Sequence, residues 1–119
     1  MVKQEGNKMD IIINIEERNL IIKIKGDIDH HTAEEIREKA EKEYKRLNAK
    51  NMIFNFEDVA FMDSSGIGMI IGRYKNIEKQ GGNVAVCNVS ENVKRIFNMS
   101  GLHKIISCYD TEEEAINKL

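Results

Sequence analysis

The sequence has 119 residues, of which 41% are apolar and 32% are charged, a balance typical of a soluble globular domain and unlike that of a disordered chain. Its 18 basic and 20 acidic residues give a net charge of −2. This argues against nucleic-acid binding, which normally needs a clustered basic excess, and gives no reason to expect membrane binding. No apolar run approaches the roughly 20 residues that cross a bilayer. We expect one domain over residues 1–119, with its core in residues 9–119, that is a monomer when free.

The N-terminal segment Met1–Asp10 is polar and lacks the apolar stretch of a secretory signal, so we expect a cytoplasmic protein. The first two apolar runs are Ile11–Ile15 and Leu20–Lys25, with a polar turn between them. In the second run Ile22 and Ile24 alternate with lysines, which is the period-two pattern of a half-buried strand. The two runs therefore predict an antiparallel hairpin.

A polar segment, Gly26–Thr32, separates this hairpin from the first predicted helix. Apolar residues then recur at steps of three and four, which predicts an amphipathic helix: Ala33, Ile36, Ala40, Tyr44 and Leu47. Thr32 and Glu35 fit a capping box at its start. Because each residue from Asp29 to Thr32 is able to cap a helix, the first helical residue stays open.

The middle of the chain reads as a strand followed by a second helix. Met52–Phe56 is almost wholly apolar, which predicts a central strand covered on both faces. After a short loop, Asp63-Ser64-Ser65-Gly66 begins a helix that Gly81-Gly82 ends. The apolar face of this helix is formed by Ile67, Ile70, Ile71, Tyr74 and Ile77.

The last third of the chain repeats the alternation of strand and helix. Val84–Val89 predicts a strand, after which Ser90 caps a short helix that Gly101 ends. Ile105–Cys108 predicts the last strand. Thr111–Glu114 has the spacing of a second capping box and begins a terminal helix.

The predicted order is therefore β-β-α-β-α-β-α-β-α, an α/β domain with about four helices. Alternation of strand and helix implies parallel strands with right-handed crossovers, and the opening hairpin makes the sheet mixed, mostly parallel. Functional loops of such folds lie beyond the carboxyl ends of the parallel strands. Two loops qualify, Gly26–Thr32 and Asp58–Ser65, and we expect them at the same end of the sheet.

Ser64 stands at the predicted start of the second helix, where unpaired N–H groups and the positive end of the helix dipole face outward. A phosphate placed there gains about 0.3–1 kcal/mol, while Asp63 or Ser64 keeps the helix capped. The phosphate adds a charge of about −1.5 to −2 beside Asp63, Asp58 and Glu57. We therefore expect it to change the binding of a partner more than the packing of the core. Capping alone accounts for the same residue types at this spacing.

Gly66 and Gly68 follow in the first turns of this helix, where each glycine costs about 0.5–1 kcal/mol. Close approach of a partner and tight packing on the sheet explain them equally well. Elsewhere, Cys87 and Cys108 are the only cysteines and form neither a CxxC pair nor a metal-ligand cluster. Both lie in apolar strand-like runs, so we predict two buried, reduced thiols.

The segment Asp63-Ser64-Ser65-Gly66-Ile67-Gly68, after an apolar strand, resembles the signature of the STAS domain, the anti-sigma-factor antagonist family. Three other segments resemble the sporulation branch of that family, whose members antagonise the anti-sigma-F factor. They are Gly26–Ala33, Gly72–Lys75 and Phe97–Leu102. The resemblance spans residues 9–119 and implies the STAS fold.

The resemblance also implies a mechanism. The unphosphorylated protein would bind an anti-sigma factor, which is itself an ATP-dependent serine kinase of the histidine-kinase-like (GHKL-type) fold, and so free the sigma factor. That kinase would phosphorylate Ser64 and release the product, and a PP2C-type phosphatase would restore the active form. The same analogy implies no cofactor and no metal, and a binding protein rather than an enzyme. It also implies partner contacts at Asp29, Asp63, Ser65, Gly66, Ile67 and Gly68.

Other classes of function remain as alternatives. A serine hydrolase would need Ser64 in a GxSxG elbow within reach of His30 or His31, and Ser64 lacks the preceding glycine. A zinc site at Asp29-His30-His31 would use adjacent histidines, whose side chains diverge. A phospho-aspartate receiver domain with Asp63 as acceptor would need an acidic cluster after the first strand, where the hairpin stands instead. Within the family, a general-stress sigma pathway is the alternative to sporulation.

Overall fold

The computed structural model describes residues 9–119, so the first eight positions of the polar N-terminal segment lie outside the described residues. Within the described range the chain forms five strands and four helices in the predicted order, with one short 3-10 turn after the third helix. The elements are β1 (Asp10–Glu16), β2 (Asn19–Lys25), α1 (His30–Arg46), β3 (Asn51–Asp58), α2 (Ser64–Lys79), β4 (Val84–Cys87), α3 (Glu91–Ser100), the 3-10 turn (Leu102–Lys104), β5 (Ser107–Tyr109) and α4 (Glu112–Lys118).

The sheet has the strand order β1-β2-β3-β4-β5, with β1 antiparallel to β2 and the other neighbours parallel. The predicted hairpin is therefore confirmed. Its turn has two residues, Glu17 at φ 52° and Arg18 at φ 68°, between the paired Glu16 and Asn19. Positive φ at both central residues is the turn geometry that matches the twist of a hairpin, although it normally favours glycine or asparagine.

The helices cover the two faces of the sheet unequally. Alternate residues of β2, β3 and β4 point toward α1, α2 and α3 and form the main core with them. Among the elements of residues 9–119, α4 alone packs on the opposite face, where Ala115 contacts a smaller cluster with Ile21, Ile53 and Cys87. Every residue from Asn51 to Phe56 is buried, so the prediction of a central strand covered on both faces is confirmed. The sheet residues of the main core are Leu20, Ile22, Ile24, Met52, Phe54, Phe56, Val84 and Val86.

The first helix begins earlier than the predicted capping box. Asp29 is the N-cap: its Oδ1 accepts from the Thr32 backbone N–H at 2.9 Å, and Thr32 Oγ1 accepts from the Asp29 N–H at 2.7 Å. The capping box of Thr32 with Glu35 is therefore wrong. A carboxylate three residues before a threonine forms the same reciprocal pair, and this places Thr32 inside the helix.

Two predicted strands are shorter than their apolar runs. The strand Val84–Val89 ends at Cys87, because Asn88 has φ 57° and turns the chain away from the sheet. The strand Ile105–Cys108 begins only at Ser107, since Ile105 closes the 3-10 turn through a hydrogen bond to the Leu102 carbonyl. Hydrophobicity alone does not separate a turn that packs on the core from a strand.

The remaining helix ends follow the predicted signals. Ser90 Oγ accepts from the Val93 N–H, and Gly101 ends α3 at φ 81°. Thr111 Oγ1 accepts from the Glu114 N–H, although the Glu114 carboxylate bonds to the N–H of Asp110 rather than that of Thr111. No helix in residues 9–119 is long and apolar enough to cross a membrane.

The two cysteines differ in exposure. Cys87 is fully buried, as predicted, and burial raises the pKa of its thiol to about 12. Cys108 is exposed, so the expectation of two buried thiols is wrong for this residue. Cys108 lies on β5, a three-residue strand at the edge of the sheet, whereas Cys87 lies under α4.

Candidate functional site

The two candidate loops are joined by backbone hydrogen bonds at the carboxyl end of the parallel strands. The Gly26 N–H donates to the Asp58 carbonyl at 3.1 Å, and the Ile28 N–H donates to the Phe61 carbonyl at 3.0 Å. The Asp63 N–H donates in return to the Ile28 carbonyl at 3.1 Å. Ile28 and Met62 thus form a short parallel bridge beyond the named strands. The expectation that both loops share one end of the sheet is confirmed.

This bridge places the N-caps of α1 and α2 side by side, because Asp29 follows Ile28 and Asp63 follows Met62. Each aspartate caps its own helix with its side chain. The backbone N–H of Thr32 lowers the pKa of the exposed Asp29 carboxyl, and hydrogen bonds from the Thr32 hydroxyl and the His31 N–H act in the same direction. Asp29 is therefore a fixed negative charge beside the start of α2.

Ser64 is the first residue of α2 and is exposed. The cap of this helix is Asp63, whose Oδ1 accepts from the Ser65 backbone N–H at 2.8 Å. This resolves which of Asp63 and Ser64 caps the helix. Because the cap uses a carboxylate, the Ser64 hydroxyl is not needed to begin the helix, and Ser64 is exposed to solvent.

The two glycines of the segment have different roles. A Cβ on Gly66 would stand 2.5 Å from Met62 Sδ and 3.2 Å from Ile28 Cγ2. The absence of a side chain at Gly66 is therefore explained by the packing of Met62 and Ile28 beneath α2. A Cβ on Gly68 would meet no atom within 4 Å, and Gly68 is exposed. Packing inside the chain does not account for the glycine at this position.

The residues expected to contact a partner also differ in exposure. Asp29 and Gly68 are exposed, and Asp63 and Ser65 are partly exposed. Gly66 and Ile67 are buried, with Ile67 only 8% exposed in the main core. A docking partner would therefore meet the first four of these side chains or backbones directly, while the last two position them.

Phe61 is a surface residue that sequence reasoning did not assign to the site. Phe61 and its neighbour Met62 are both large and apolar, yet Met62 is fully buried and Phe61 is 47% exposed. The sequence signal for this surface residue is a pair of large apolar residues, Phe61 and Met62, in a predicted loop. The pair does not show which of the two side chains faces solvent. We call the exposed set Asp29, Phe61, Ser64 and Gly68 the loop edge.

The first turn of α3 is bonded to the loop that precedes Ser64. Asn92, in the first turn of α3, donates from Nδ2 to the Ala60 carbonyl at 3.1 Å. This bond ties the start of α3 to the loop that carries Ser64. Sequence reasoning missed Asn92, because an asparagine at the start of a helix normally indicates capping.

The acidic residues near Ser64 are not all free charges. Lys23 on β2 lies 3.3 Å from Glu57 Oε1 and 3.9 Å from Asp58 Oδ2. The hydrogen bond that the Lys23 ammonium donates to the Glu57 carboxylate raises the pKa of Lys23. Of the three acids expected to oppose a phosphate, Asp63 is therefore the one without this lysine beside it.

His30 and His31 lie at the start of α1, with ring centroids 5.7 Å apart and planes at 65°. His30 lines a groove of about 280 Å³ between the first turns of α1 and α2, together with Arg37, Ser65 and Gly68. In the part of the chain that the structure describes, no three His, Cys, Asp or Glu side chains are grouped to hold a metal ion. The histidines thus border the loop edge as surface groups.

Comparison with known proteins agrees with this geometry. The chain matches the STAS domain family over residues 10–115. An anti-sigma F factor antagonist of Paenibacillus polymyxa is 41% identical over 100 residues, covering 84% of this chain and 86% of that protein. The anti-sigma-B factor antagonist of Bacillus subtilis is 33% identical over 100 residues, covering 82% of this chain and 90% of its own.

Two solved structures of similar proteins share the fold. The anti-sigma factor antagonist SpoIIAA in its unphosphorylated form has a TM-score of 0.80 and 34% identity, covering 92% of this chain and 95% of that one. The Bacillus cell fate determinant SpoIIAA in its phosphorylated form has a TM-score of 0.72 and 33% identity, covering 92% and 98%. With the family match over most of its length and these relatives, the chain belongs to the STAS domain family.

Proposed function

We propose that the protein is an anti-sigma factor antagonist that phosphorylation of Ser64 switches off. In its unphosphorylated form it binds an anti-sigma factor that is also a serine kinase of the GHKL type, and so releases the sporulation sigma factor, sigma F. The observation that carries the proposal is the exposed Ser64 hydroxyl, one residue after the aspartate that caps α2. The anti-sigma F factor antagonist at 41% identity and the two forms of SpoIIAA support it.

The physical effect of a phosphate on Ser64 falls on the partner. At the first residue of α2 the phosphate meets the positive end of the helix dipole, and Asp63 still caps the helix. The fold is therefore kept. A partner lying against the loop edge would have to bury a charge of about −1.5 to −2 beside Asp29 and Asp63. A thousandfold loss of affinity needs only about 4 kcal/mol, which one desolvated and unpaired phosphate supplies.

The cycle closes when a PP2C-type serine phosphatase removes the phosphate from Ser64. The antagonist itself acts by binding, as a cytoplasmic monomer, and takes no cofactor, nucleic acid or membrane as partner. Its two aspartate caps serve as fixed points of the docking surface rather than as catalytic groups. Asp63 is also a poor candidate for a receiver-type phosphoacceptor, because its carboxylate is bonded to the Ser65 N–H.

The test is incubation with the anti-sigma factor and ATP, followed by intact-mass analysis and mapping of the phosphorylated residue. We expect one phosphate, on Ser64, and dissociation of the complex as it forms. Ser64→Ala should stay bound and gain no phosphate, while the matched control Ser65→Ala should be phosphorylated like the native chain. Phosphate on Ser65, or label that survives in Ser64→Ala, would remove Ser64 from the proposal. A phosphate lost in hydroxylamine would indicate an acyl phosphate, and hence the receiver-type alternative.

A second candidate keeps the mechanism but changes the circuit. The anti-sigma-B factor antagonist of Bacillus subtilis is 33% identical, which favours a general-stress sigma pathway as the alternative. Binding to purified anti-sigma-F and anti-sigma-B factors separates the two circuits, and we expect the tighter complex with the anti-sigma-F factor. The genes next to this one give an independent answer, because a sporulation operon holds the anti-sigma factor and sigma factor directly downstream.

A further inference from the structure

Phe61 is a large apolar side chain that stays exposed in the loop between β3 and α2. It is 47% exposed, whereas its neighbour Met62 is fully buried. Within residues 9–119 it is the one aromatic among the exposed large apolar residues; the others are Ile12, Met99 and Ile105. Single exposed apolar residues are common on protein surfaces. The role of Phe61 therefore has to be judged from how its backbone is held and from what lies beside it.

The backbone around Phe61 is held by hydrogen bonds from two other elements. Asn92 Nδ2 donates to the Ala60 carbonyl at 3.1 Å, and the Ile28 N–H donates to the Phe61 carbonyl at 3.0 Å. Successive side chains alternate in direction along an extended segment, so the burial of Met62 in the bridge directs Phe61 outward. The ring is thus presented by a fixed loop, and little backbone freedom would be lost when a partner covers it.

Phe61 is also close to Ser64. Three residues of fully extended chain span at most about 11 Å, so the two Cα atoms lie within that distance. A stable interface covers about 800 Å² on each partner, which is a patch of about 16 Å in radius. A kinase whose interface is centred on Ser64 therefore reaches Phe61 in the same contact.

The neighbours of Phe61 on the loop edge are polar. Asp29 is exposed and Asp63 is partly exposed, and both carboxylates are engaged as helix caps. Of the four residues of the loop edge, Phe61 alone has a large apolar side chain. Aromatic residues are enriched among those that contribute most to binding, and the rim around them is polar. The loop edge has this arrangement, with one aromatic among polar groups.

We propose that Phe61 is the apolar anchor of the docking surface and inserts into an apolar pocket of the anti-sigma factor kinase. This inference rests on the proposed function, because it names the contact through which that partner recognises the loop edge. A phenylalanine buries roughly 200 Å², and about half of that area is still open in the free protein, which corresponds to at least about tenfold in affinity.

The first measurement is the affinity of the full, unphosphorylated chain for the purified anti-sigma factor, by isothermal titration calorimetry. Phe61→Ala should lower it at least about tenfold, and Phe61→Leu, which keeps most of the apolar volume, should recover most of the loss. Ile105→Ala is the matched control and should bind like the native chain. Ile105 is 46% exposed and precedes β5, at the amino end of the parallel strands and away from the loop edge.

The second measurement is the kinetics of phosphorylation, which separate an anchor from a residue that only supports the fold. Phe61→Ala should raise the KM for phosphorylation of Ser64 at least about tenfold and leave kcat within about twofold, because a contact made equally in the ground state and the transition state changes KM alone. A lower kcat with unchanged KM would overturn the anchor and show that Phe61 positions Ser64 instead.

Thermal melts of each variant check that the fold is kept. Phe61→Gln keeps a long side chain without the apolar ring, and takes the place of Phe61→Ala should that variant not fold. Native affinity in the variant that lacks the ring would overturn the anchor, and so would an equal loss in Ile105→Ala. A native chain that neither binds the anti-sigma factor nor gains phosphate on Ser64 would overturn the proposed switch itself, whereas failure of the anchor leaves both properties of the native chain intact.

Discussion

The buried Met62 side chain occupies the space next to Gly66, with its Sδ 2.5 Å and its Cγ 2.6 Å from where a Cβ on that glycine would stand. Met62 is fully buried and follows directly after the exposed Phe61. The loop that presents Ser64 is therefore held from below by a side chain that only a glycine leaves room for. Gly68, two residues further along α2, has no such neighbour.

This contrast predicts opposite effects of the same substitution at the two glycines. Gly66→Ala should lower the free energy of unfolding by about 1–3 kcal/mol, since Met62 and Ile28 have to shift in a packed core. Gly68→Ala should raise it by about 0.5–1 kcal/mol, because alanine favours the helix and its Cβ meets open space. Urea denaturation of the two variants measures both values. Destabilisation by Gly68→Ala would mean that the glycine serves the fold.

The affinity for the anti-sigma factor tests separately whether Gly68 lies in the docking surface. If Gly68 is kept for close approach of the partner, Gly68→Ala should weaken the complex even though the free protein is more stable. Isothermal titration calorimetry with the native chain as reference gives the comparison. Unchanged affinity would take Gly68 out of the docking surface.

The sequence was sufficient for features that repeat over several residues. The alternation at Ile22 and Ile24 predicted the hairpin, and the apolar spacing predicted α1 and α2. Features that depend on a single contact could not be predicted from the sequence. Glu17 and Arg18 adopt positive φ without being glycine or asparagine, so nothing in their identity marks the tight turn.

In the candidate site, too, some features could be predicted from the sequence and others could not. The position of Ser64 at a helix start and the pairing of the two loops followed from strand order and helix starts, which sequence patterns carry. The role of Ser64 as the phosphorylation site was implied only by the resemblance to the family. The separate roles of Gly66 and Gly68 could not be predicted, because they depend on where Met62 points. The ion pair of Arg73 with Glu41 was also hidden, since the two residues are far apart in sequence and both are ordinary surface types.

At the phosphorylation site, Ser64→Asp should weaken binding to the anti-sigma factor at least tenfold while the free energy of unfolding changes by less than about 0.5 kcal/mol. An added carboxylate is compatible with the first turn of α2, because the N-terminal dipole favours it. Ser64→Asn has nearly the same shape without the charge and is the matched control. We expect it to bind more tightly than Ser64→Asp in calorimetry. A collapse in the melting temperature of either variant would show that Ser64 is structural.

At the neighbouring cap, Asp29→Asn should reduce affinity for the anti-sigma factor without unfolding the protein. Asparagine caps a helix about as well as aspartate, so the bond to the Thr32 N–H is kept while the charge is removed. Asp63→Asn is the parallel variant on α2. Thermal melts should stay close to that of the native chain in both cases. If Asp29→Asn binds with native affinity, the negative charge of the Gly26–Thr32 loop plays no part in docking.

The ion pair between Glu41 of α1 and Arg73 of α2 makes a prediction about stability that is independent of any partner. Burial raises the pKa of Glu41, but the hydrogen bond and charge of Arg73, with Arg37 and Asn76, outweigh it, so the pKa lies below its ordinary value. A lowered pKa means that Glu41 contributes stability above pH about 4.5, and that this contribution is lost as the pH falls through the lower value of the folded state.

Glu41→Gln should therefore cost about 2 kcal/mol at neutral pH, less than a fully buried pair because the Glu41 side chain is 34% exposed. The cost should shrink as the pH is lowered, because the native chain loses the same charge by protonation. Glu38→Gln is the control. Glu38 is 68% exposed, and its one ion pair within residues 9–119 is with Arg37, at 3.7 Å, so the variant should change stability by less than about 0.5 kcal/mol. Denaturation curves at several pH values decide the matter. Equal losses in the two variants would show that the buried Arg73 does not depend on Glu41 for its charge partner.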